Sequence, residues 1–536
     1  MDSSIAVRPS LLSRQRIVAG PGFNRWLVPP AALAIHLCIG LIYGMSVFWL
    51  PLSQAIGRTH PLACPAGSNF WSRLSATGCD WLVSDVSLVF TLGIVFLGVS
   101  AAIWGGWLEW AGPRKAGLVA ALCWPGGLAV AAAGIWLHLL WLVLLGAGVI
   151  GGIGLGLGYI TPVSTLIKWF PDRRGLATGL AIMGFGGGAM IGTPLAAALM
   201  GHFRSPSGVG VWQTLLVLAA IYLVFMAGGA FGFRVPPEGY WPEGVARPAV
   251  HADMHRSVTL PNATATPQFW LLWGVLCLNV SAGIGVLDMA SPMLQEIFGG
   301  SLIGHPEVGF AALSAGQLHA VVLIAAGFTG FLSLFNIVGR ITWASLSDRL
   351  GRRLTYTIFF VLGIALYASA PSLASVGSKA GFALAFGVIL SMYGGGFATI
   401  PAYLADLFGT GFVGAIHGRL LTAWSVAGVI GPVLVTRLRE VQIAAGVARA
   451  NVYDRTLYIL AALLVGGLVC NLLIRPVRPA LFTHGGAAAG TSATAPPPRS
   501  ASTAGIAAPV LAWLAVGFPL AWGLYMTVLK TSALFR

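Results

Sequence analysis

Arg340 is the residue whose setting most constrains its chemistry. It follows 32 residues without an acid or base, in Phe335-Asn336-Ile337-Val338-Gly339-Arg340. A cation in such a run is costly to hold and points to function. Its guanidinium stays charged and can grip a carboxylate through two parallel hydrogen bonds. Asn336 stands one helical turn away as a neutral partner. The alternative is that Arg340 snorkels toward a charged loop at Asp348, eight residues on and about 12 Å along a helix. Asp288, in Gly285-Val286-Leu287-Asp288-Met289, either carries a coupling proton or marks a wetted helix end. His36 and His319 are further candidates for proton coupling. Tyr43, Tyr159, Tyr393 and Trp424 can wall a small cavity between helices, or simply pack. No Cys/His spacing suggests a metal site, no Ser/His/acid set can be assembled, and nothing calls for a cofactor.

The surrounding composition says what must position these groups. The 536 residues are 57% hydrophobic and 8% charged, with a mean hydropathy of +0.85. Soluble proteins carry about 25% charged residues, so a soluble enzyme, a disordered chain and a disulfide-rich secreted module are excluded. The net charge of +15 would suggest nucleic acid in a soluble chain; in a membrane protein it is read by location. The 72 glycines follow no collagen period and suit closely packed membrane helices. Gly151-Gly-Ile-Gly154-Leu-Gly156-Leu-Gly158 resembles a nucleotide loop only superficially, since no strand precedes it.

A membrane-crossing helix needs about 20 apolar residues. Stretches free of Asp, Glu, Lys and Arg occur at 26–57, 86–108, 116–167, 175–203, 205–233, 257–287, 308–339, 354–378, 380–405, 420–436, 456–474 and 500–529. The third is 52 residues long and holds two helices with a turn near Leu137–Leu140; the 420–436 run is extended backward from Arg419. Twelve helices therefore precede residue 475. Residues 484–508 are a Gly/Ala/Ser/Thr/Pro tether, and 509–530 is a thirteenth span. With the N-terminus cytoplasmic, nineteen Lys/Arg fall on the cytoplasmic side and ten outside. That bias favours this orientation, in a multi-pass cell membrane such as a bacterial inner membrane. Cys64 and Cys79 share the first outer loop and can form a disulfide if it faces an oxidising compartment.

Two loops repeat 239 residues apart: Glu109-Trp-Ala-Gly112-Pro-Arg114-Lys115 and Asp348-Arg349-Leu-Gly351-Arg352-Arg353. The organisation is then a 1–25 N-terminus, halves at 26–233 and 268–474, a central loop at 234–267, a linker at 475–508 and the extra helix at 509–530. Parallel six-helix repeats place a substrate site between the halves near the midplane. The repeated acid–x–x–Gly–x–basic loop resembles the signature of the major facilitator superfamily. The expected fold is an all-α membrane protein: twelve helices in two six-helix halves plus the C-terminal helix. The resemblance assigns Glu109, Arg114, Asp348, Arg349, Arg352 and Arg353 to a cytoplasmic gate.

Within that superfamily, residues 26–475 resemble the oxalate/formate antiporter family, related to the monocarboxylate transporters. The matching segments include Tyr43-Gly-Met-Ser-Val-Phe-Trp-Leu-Pro51, Gly154-Leu-Gly-Leu-Gly-Tyr159-Ile-Thr-Pro162, Lys168-Trp-Phe-Pro-Asp-Arg-Arg-Gly175, Ala290-Ser-Pro-Met293, Tyr393-Gly-Gly-Gly-Phe-Ala-Thr399 and Leu421-Thr-Ala-Trp424. The resemblance implies that Arg340 binds substrate carboxylate. Trp424 stands where oxalate specialists have a lysine, and no lysine lies near Val47, where animal carriers have one. A buried dianion wants two cations, so a monocarboxylate such as pyruvate, lactate or formate is favoured over oxalate. The expectation is a proton-coupled transporter of a small organic anion, working by alternating access. The rivals are an oxalate/formate-type exchanger and a membrane metabolite sensor. The longest cytoplasmic loop, 234–267, is too short for a soluble enzyme or nucleic-acid-binding domain.

Overall fold

A computed structural model describes residues 11–57, 61–170, 174–205, 208–237, 240–242, 256–409, 413–484 and 507–535. Among them, thirteen helices are long and apolar enough to cross a membrane: α1 (Arg25–Leu52), α2 (Val83–Gly105), α3 (Pro113–Trp136), α4 (Leu140–Leu166), α5 (Ile182–Phe203), α6 (Val211–Gly232), α7 (Pro267–Ile303), α8 (Ala315–Leu350), α9 (Arg352–Ser375), α10 (Lys379–Phe408), α11 (Ile416–Ala444), α12 (Arg449–Leu473) and α13 (Ala508–Lys530). Helix is what such runs must form, because lipid offers no partner for an open backbone group. The only extended pairing of named strands among the described residues joins Arg256–Ser257 to Thr483–His484.

Backbone and side-chain bonds between loops define two faces. On one, here the N-terminal face, Ala19 N donates to the Val235 carbonyl and Val235 N to the Ile17 carbonyl, both at 2.9 Å, and Val258 N donates to the Phe408 carbonyl at 2.8 Å. On the opposite face Trp141 N donates to Leu74 O at 3.1 Å, and Lys379 Nζ to Ser301 O at 3.2 Å. There the first loop is held by the Cys64–Cys79 disulfide, with Cα atoms 4.9 Å apart. Asp80 beside it accepts from the backbone N–H groups of Ile56, Gly57 and Leu62 at 2.7–2.8 Å. Arg73 forms a bidentate pair with Asp85 at 2.6 and 2.9 Å, and these bonds raise the guanidinium above its ordinary pKa.

The repeated loop has a shared backbone form. The helix of α2 runs on to Ala111, and Gly112 caps it at φ 84°, ψ 160°, while Gly351 follows α8 at φ 82°, ψ 149°. That region is open to glycine and strained for other residues, so glycine in both loops lets each helix pair turn back abruptly. Glycines also set helix spacing: α1 and α5 touch backbone to backbone at Gly40 and Gly188. From Gly40 to Phe48, α1 tightens to a 3-10 helix.

Three helices run furthest past the charge-free stretches. α7 continues past Asp288 to Ile303 and α8 past Arg340 to Leu350. α11 runs forward to Ala444 through Arg437, Arg439 and Glu440. A charge ends a helix only when water is its cheapest partner; here several of these charges are paired inside. α13 lies against α1, α5 and α8. Val516 packs with Leu33 and Leu37, and Thr527 faces Gly330 of α8.

Candidate functional site

Arg340 is 1% exposed although charged. Its Nε donates to Asn336 Oδ1 at 2.8 Å, the i, i+4 pair that α8 dictates. The guanidinium lies over the Phe397 ring, 5.7 Å from its centroid. Arg340 Nη1 and Asn336 Nδ2 are buried and have no hydrogen-bond partner. A buried donor left bare costs about 1–3 kcal/mol, and here two stand in one place.

Aromatic side chains enclose that place. Tyr43 on α1 and Tyr393 on α10 join hydroxyls at 2.8 Å, bridging the first six helices to the second six. Tyr159 on α4 meets Trp424 on α11 with ring centroids 5.4 Å apart. Phe185 of α5 stands among Tyr43, Tyr159 and Trp424 at 4.9–5.7 Å, and Phe397 meets Trp424 at 4.5 Å. The Trp424 indole N–H is a third buried donor without a partner. Arg340 is within electrostatic reach of the hydroxyls of Tyr43, Tyr159 and Tyr393. Close approach of α5 and α10 to α8 makes this possible: a Cβ on Gly186 would stand 2.6 Å from Asn336 Oδ1 and 2.9 Å from Arg340 Nε. Each member of the cage is buried, so the site is closed to solvent in this conformation.

The sequence candidates Arg340, Asn336, Tyr43, Tyr159, Tyr393 and Trp424 therefore come together. Phe185 and Phe397 were missed, because nothing sets them apart among 27 phenylalanines. The three proton-coupling candidates fall in separate places. His36 joins the cage wall, donating from Nε2 to the Tyr159 carbonyl at 3.2 Å. Asp288 is fully buried nearer the opposite face. The Trp49 indole donates to Asp288 Oδ1 at 3.1 Å and to its carbonyl at 2.8 Å, while Oδ2 has no partner. His319 lies at the opposite-face end of α8, where it lines two cavities.

The gate candidates also separate. Asp348 pairs with Arg352, whose Nε also lies 3.4 Å from Asp406 Oδ2. Arg353 binds the Leu472 carbonyl, and Arg349 is exposed. Asp348, Arg352 and Arg353 tie helices of the second half to one another. Arg114 instead donates to the carbonyls of Leu11 and Phe231 at 2.8 and 3.2 Å, within the first half. The side chain of Glu109 and the segment Pro171–Arg173 lie outside the described residues. On the opposite face, Ser84 N donates to Glu440 Oε1 at 2.9 Å, and with Trp49–Asp288 this holds the two halves together.

One buried cluster was not anticipated. Glu296 on α7, at zero exposure, pairs with Arg439 of α11, with Arg449 at 2.8 Å and with the Tyr453 hydroxyl at 2.7 Å. An acid and a base 143 residues apart are matched only by the packing of α7 against α11. Among the described residues no group of three or more His, Cys, Asp or Glu is placed to hold a metal ion.

Comparison with known proteins places this geometry. A family model described as the Major Facilitator Superfamily matches residues 32–432. The oxalate:formate antiporter of Oxalobacter formigenes is 28% identical over 284 residues, covering 53% of this chain and 59% of the antiporter. The apicoplast pyruvate carrier 1 of Toxoplasma gondii is 27% identical over 339 residues, covering 54% of this chain and 58% of the carrier. The chain thus spans less than two thirds of the length of either relative. In structure, an inward-facing, occupied bacterial homologue of the lysosomal transporter Spinster aligns with 85% of this chain and 97% of its own, at a TM-score of 0.57 and 13% identity. That likeness concerns the fold alone.

Proposed function

The chain belongs to the Major Facilitator Superfamily, and from that premise we propose that it is a secondary transporter of a small carboxylate, with Arg340 as the anion-holding group. The observation that carries this reading is the buried, unpartnered Nη1 of Arg340, beside the bare Nδ2 of Asn336, inside an aromatic cage where the two halves meet. A carboxylate supplies acceptors to both donors and neutralises the buried guanidinium. The aromatic walls then exclude water, which strengthens the pair. The relatives named for oxalate and formate and for pyruvate support this class of substrate.

A monocarboxylate suits the cage better than oxalate. Arg340 is its single fixed cation, and Trp424 adds an N–H without a charge, so a dianion would keep one charge unpaired. For coupling, Asp288 is the first candidate. One carboxyl oxygen holds the Trp49 indole across the two halves, and the other is free to take a proton. Protonating Asp288 changes that cross-half contact, which links proton uptake to opening of the opposite face. His36, on the wall beside Tyr159, is the second candidate. The N-terminal face is cytoplasmic in this account, with its charged loops at Arg114 and Asp348–Arg353.

The test is uptake of labelled pyruvate by the purified protein in liposomes, with and without an inside-alkaline gradient. Gradient-stimulated uptake supports proton symport. Uptake that ignores the gradient but requires internal anion favours exchange, and no carboxylate counterflow would refute the transporter reading.

A further inference from the structure

The α5–α8 seam carries a second set of basic groups on the opposite face, far from Arg340. Two cavities meet there. One, of about 390 Å³, lies between α5, α8 and α13 and is lined in part by His202, His319, Met526 and Lys530. The other, of about 80 Å³, lies between the halves above the Trp49–Asp288 contact and is lined in part by Gln54, Arg204, Gln295 and His319. His319 and Gly201 belong to both. A Cβ on Gly201 would stand 2.8 Å from the His319 ring, so glycine there lets the imidazole stand between the two spaces. Among the described residues no acidic residue lines either cavity, and none of Arg204, His202, His319 and Lys530 pairs with a carboxylate.

A second observation points to a ligand. Gln295 is 1% exposed, and its Nε2 donates to Ser291 Oγ at 2.9 Å while Oε1 has no partner. The Ser291 hydroxyl both donates and accepts, so the side-chain amide of Gln295 can face it in either orientation. Turned over, the amide would accept from the Ser291 hydroxyl through Oε1 and present Nε2 to the smaller cavity as a donor for an anion. Gln295 also stands two turns beyond Asp288 on α7, about 10 Å along the axis.

We propose that the opposite-face ends of α5, α8 and α13 form a carboxylate-capture vestibule, in which Lys530 and Arg204 flank His319 and load small anions toward Arg340. The proposal rests on the transport reading above and gives α13 a chemical contribution, Lys530. Uncompensated cations around low-dielectric walls focus the field and concentrate anions. A captured carboxylate passes from Lys530 past His319, whose ring offers an N–H donor in either charge state, to Arg204 and Gln295. It then stands over the Trp49–Asp288 contact that closes the route inward.

The chain has four lysines, at 115, 168, 379 and 530, so amine labelling reads this site directly. The full-length protein in liposomes is treated with a membrane-impermeant sulfosuccinimidyl acetate, and labelling is followed by mass spectrometry. Pyruvate is expected to slow acylation of Lys530 by about 3-fold or more, leave Lys379 unaffected, and protect equally in Arg340→Ala. Lys530→Gln is expected to raise the KM for pyruvate uptake by about 3- to 10-fold at unchanged maximal rate and to flatten its salt dependence, with Lys530→Arg restoring both. Lys530 acylation indifferent to pyruvate overturns the vestibule even if transport proceeds. Protection without any transport leaves the vestibule standing and refutes the transport reading.

Discussion

Substituting Gly186 by alanine tests the site without replacing any group proposed to bind substrate. The added methyl would stand 2.6 Å from Asn336 Oδ1 and 2.9 Å from Arg340 Nε, against about 3.5–4.0 Å for an unstrained contact. α5 cannot simply back away, because Ser333 of α8 binds the Gly186 carbonyl. The cheapest relief is rotation of Asn336, which removes the acceptor that orients Arg340. Overpacking of this kind costs about 1–3 kcal/mol. At 1.4 kcal/mol per tenfold, the KM for pyruvate uptake should rise by about 5- to 150-fold if the cost falls on the bound state. Gly179 lies just before α5 in the same continuous helix, Arg174–Phe203, and a Cβ there meets nothing within 4 Å among the described residues, so Gly179→Ala is the control and should behave as wild type. The assay is initial-rate uptake in liposomes over a range of pyruvate concentrations, with melting temperature followed in parallel. A KM for Gly186→Ala within about twofold of the control would refute the reasoning, since the Asn336–Arg340 pair would then have no part in binding.

Asp288→Asn keeps the indole contact but removes the proton site, so uptake should lose its response to an inside-alkaline gradient while counterflow persists; a retained gradient response would exclude Asp288. Glu296→Gln leaves Arg439 buried without its counter-charge, and breaking such a pair costs about 3–5 kcal/mol, visible as a melting temperature lowered by several degrees. Converting both Cys64 and Cys79 to serine opens a loop of sequence separation 15, worth about 3 kcal/mol by loop entropy. The loss should appear as faster proteolysis between residues 53 and 82 with little change in uptake.

The reach of the sequence is clearest at Arg340. A guanidinium after 32 charge-free residues already carries its own cost, and Asn336 follows from helix geometry alone. The tyrosines and Trp424 were identifiable as candidates, but their meeting point depends on how α1, α4, α10 and α11 cross. Phe185 and Phe397 are invisible before packing, since apolar side chains serve core and cage alike. Helix ends were misplaced where charges are satisfied inside. Glu296 and Arg439 look like loop residues until α7 and α11 are set side by side. The repeated loop was legible as sequence, and its two glycines adopt matching positive-φ turns. The described contacts of its charges, however, stay within each half, and only the three-dimensional structure shows that the described cross-half bonds lie at the cage and toward the opposite face.

The account stands or falls on Arg340, and the most direct measurement is counterflow of labelled pyruvate in liposomes loaded with unlabelled pyruvate, for wild type, Arg340→Lys and Arg340→Ala. Counterflow isolates substrate binding and reorientation from any proton gradient. The account predicts robust exchange by wild type, exchange reduced by about tenfold or more in Arg340→Lys, where the fork is lost and the charge kept, and none in Arg340→Ala. Wild-type counterflow by Arg340→Ala would contradict it.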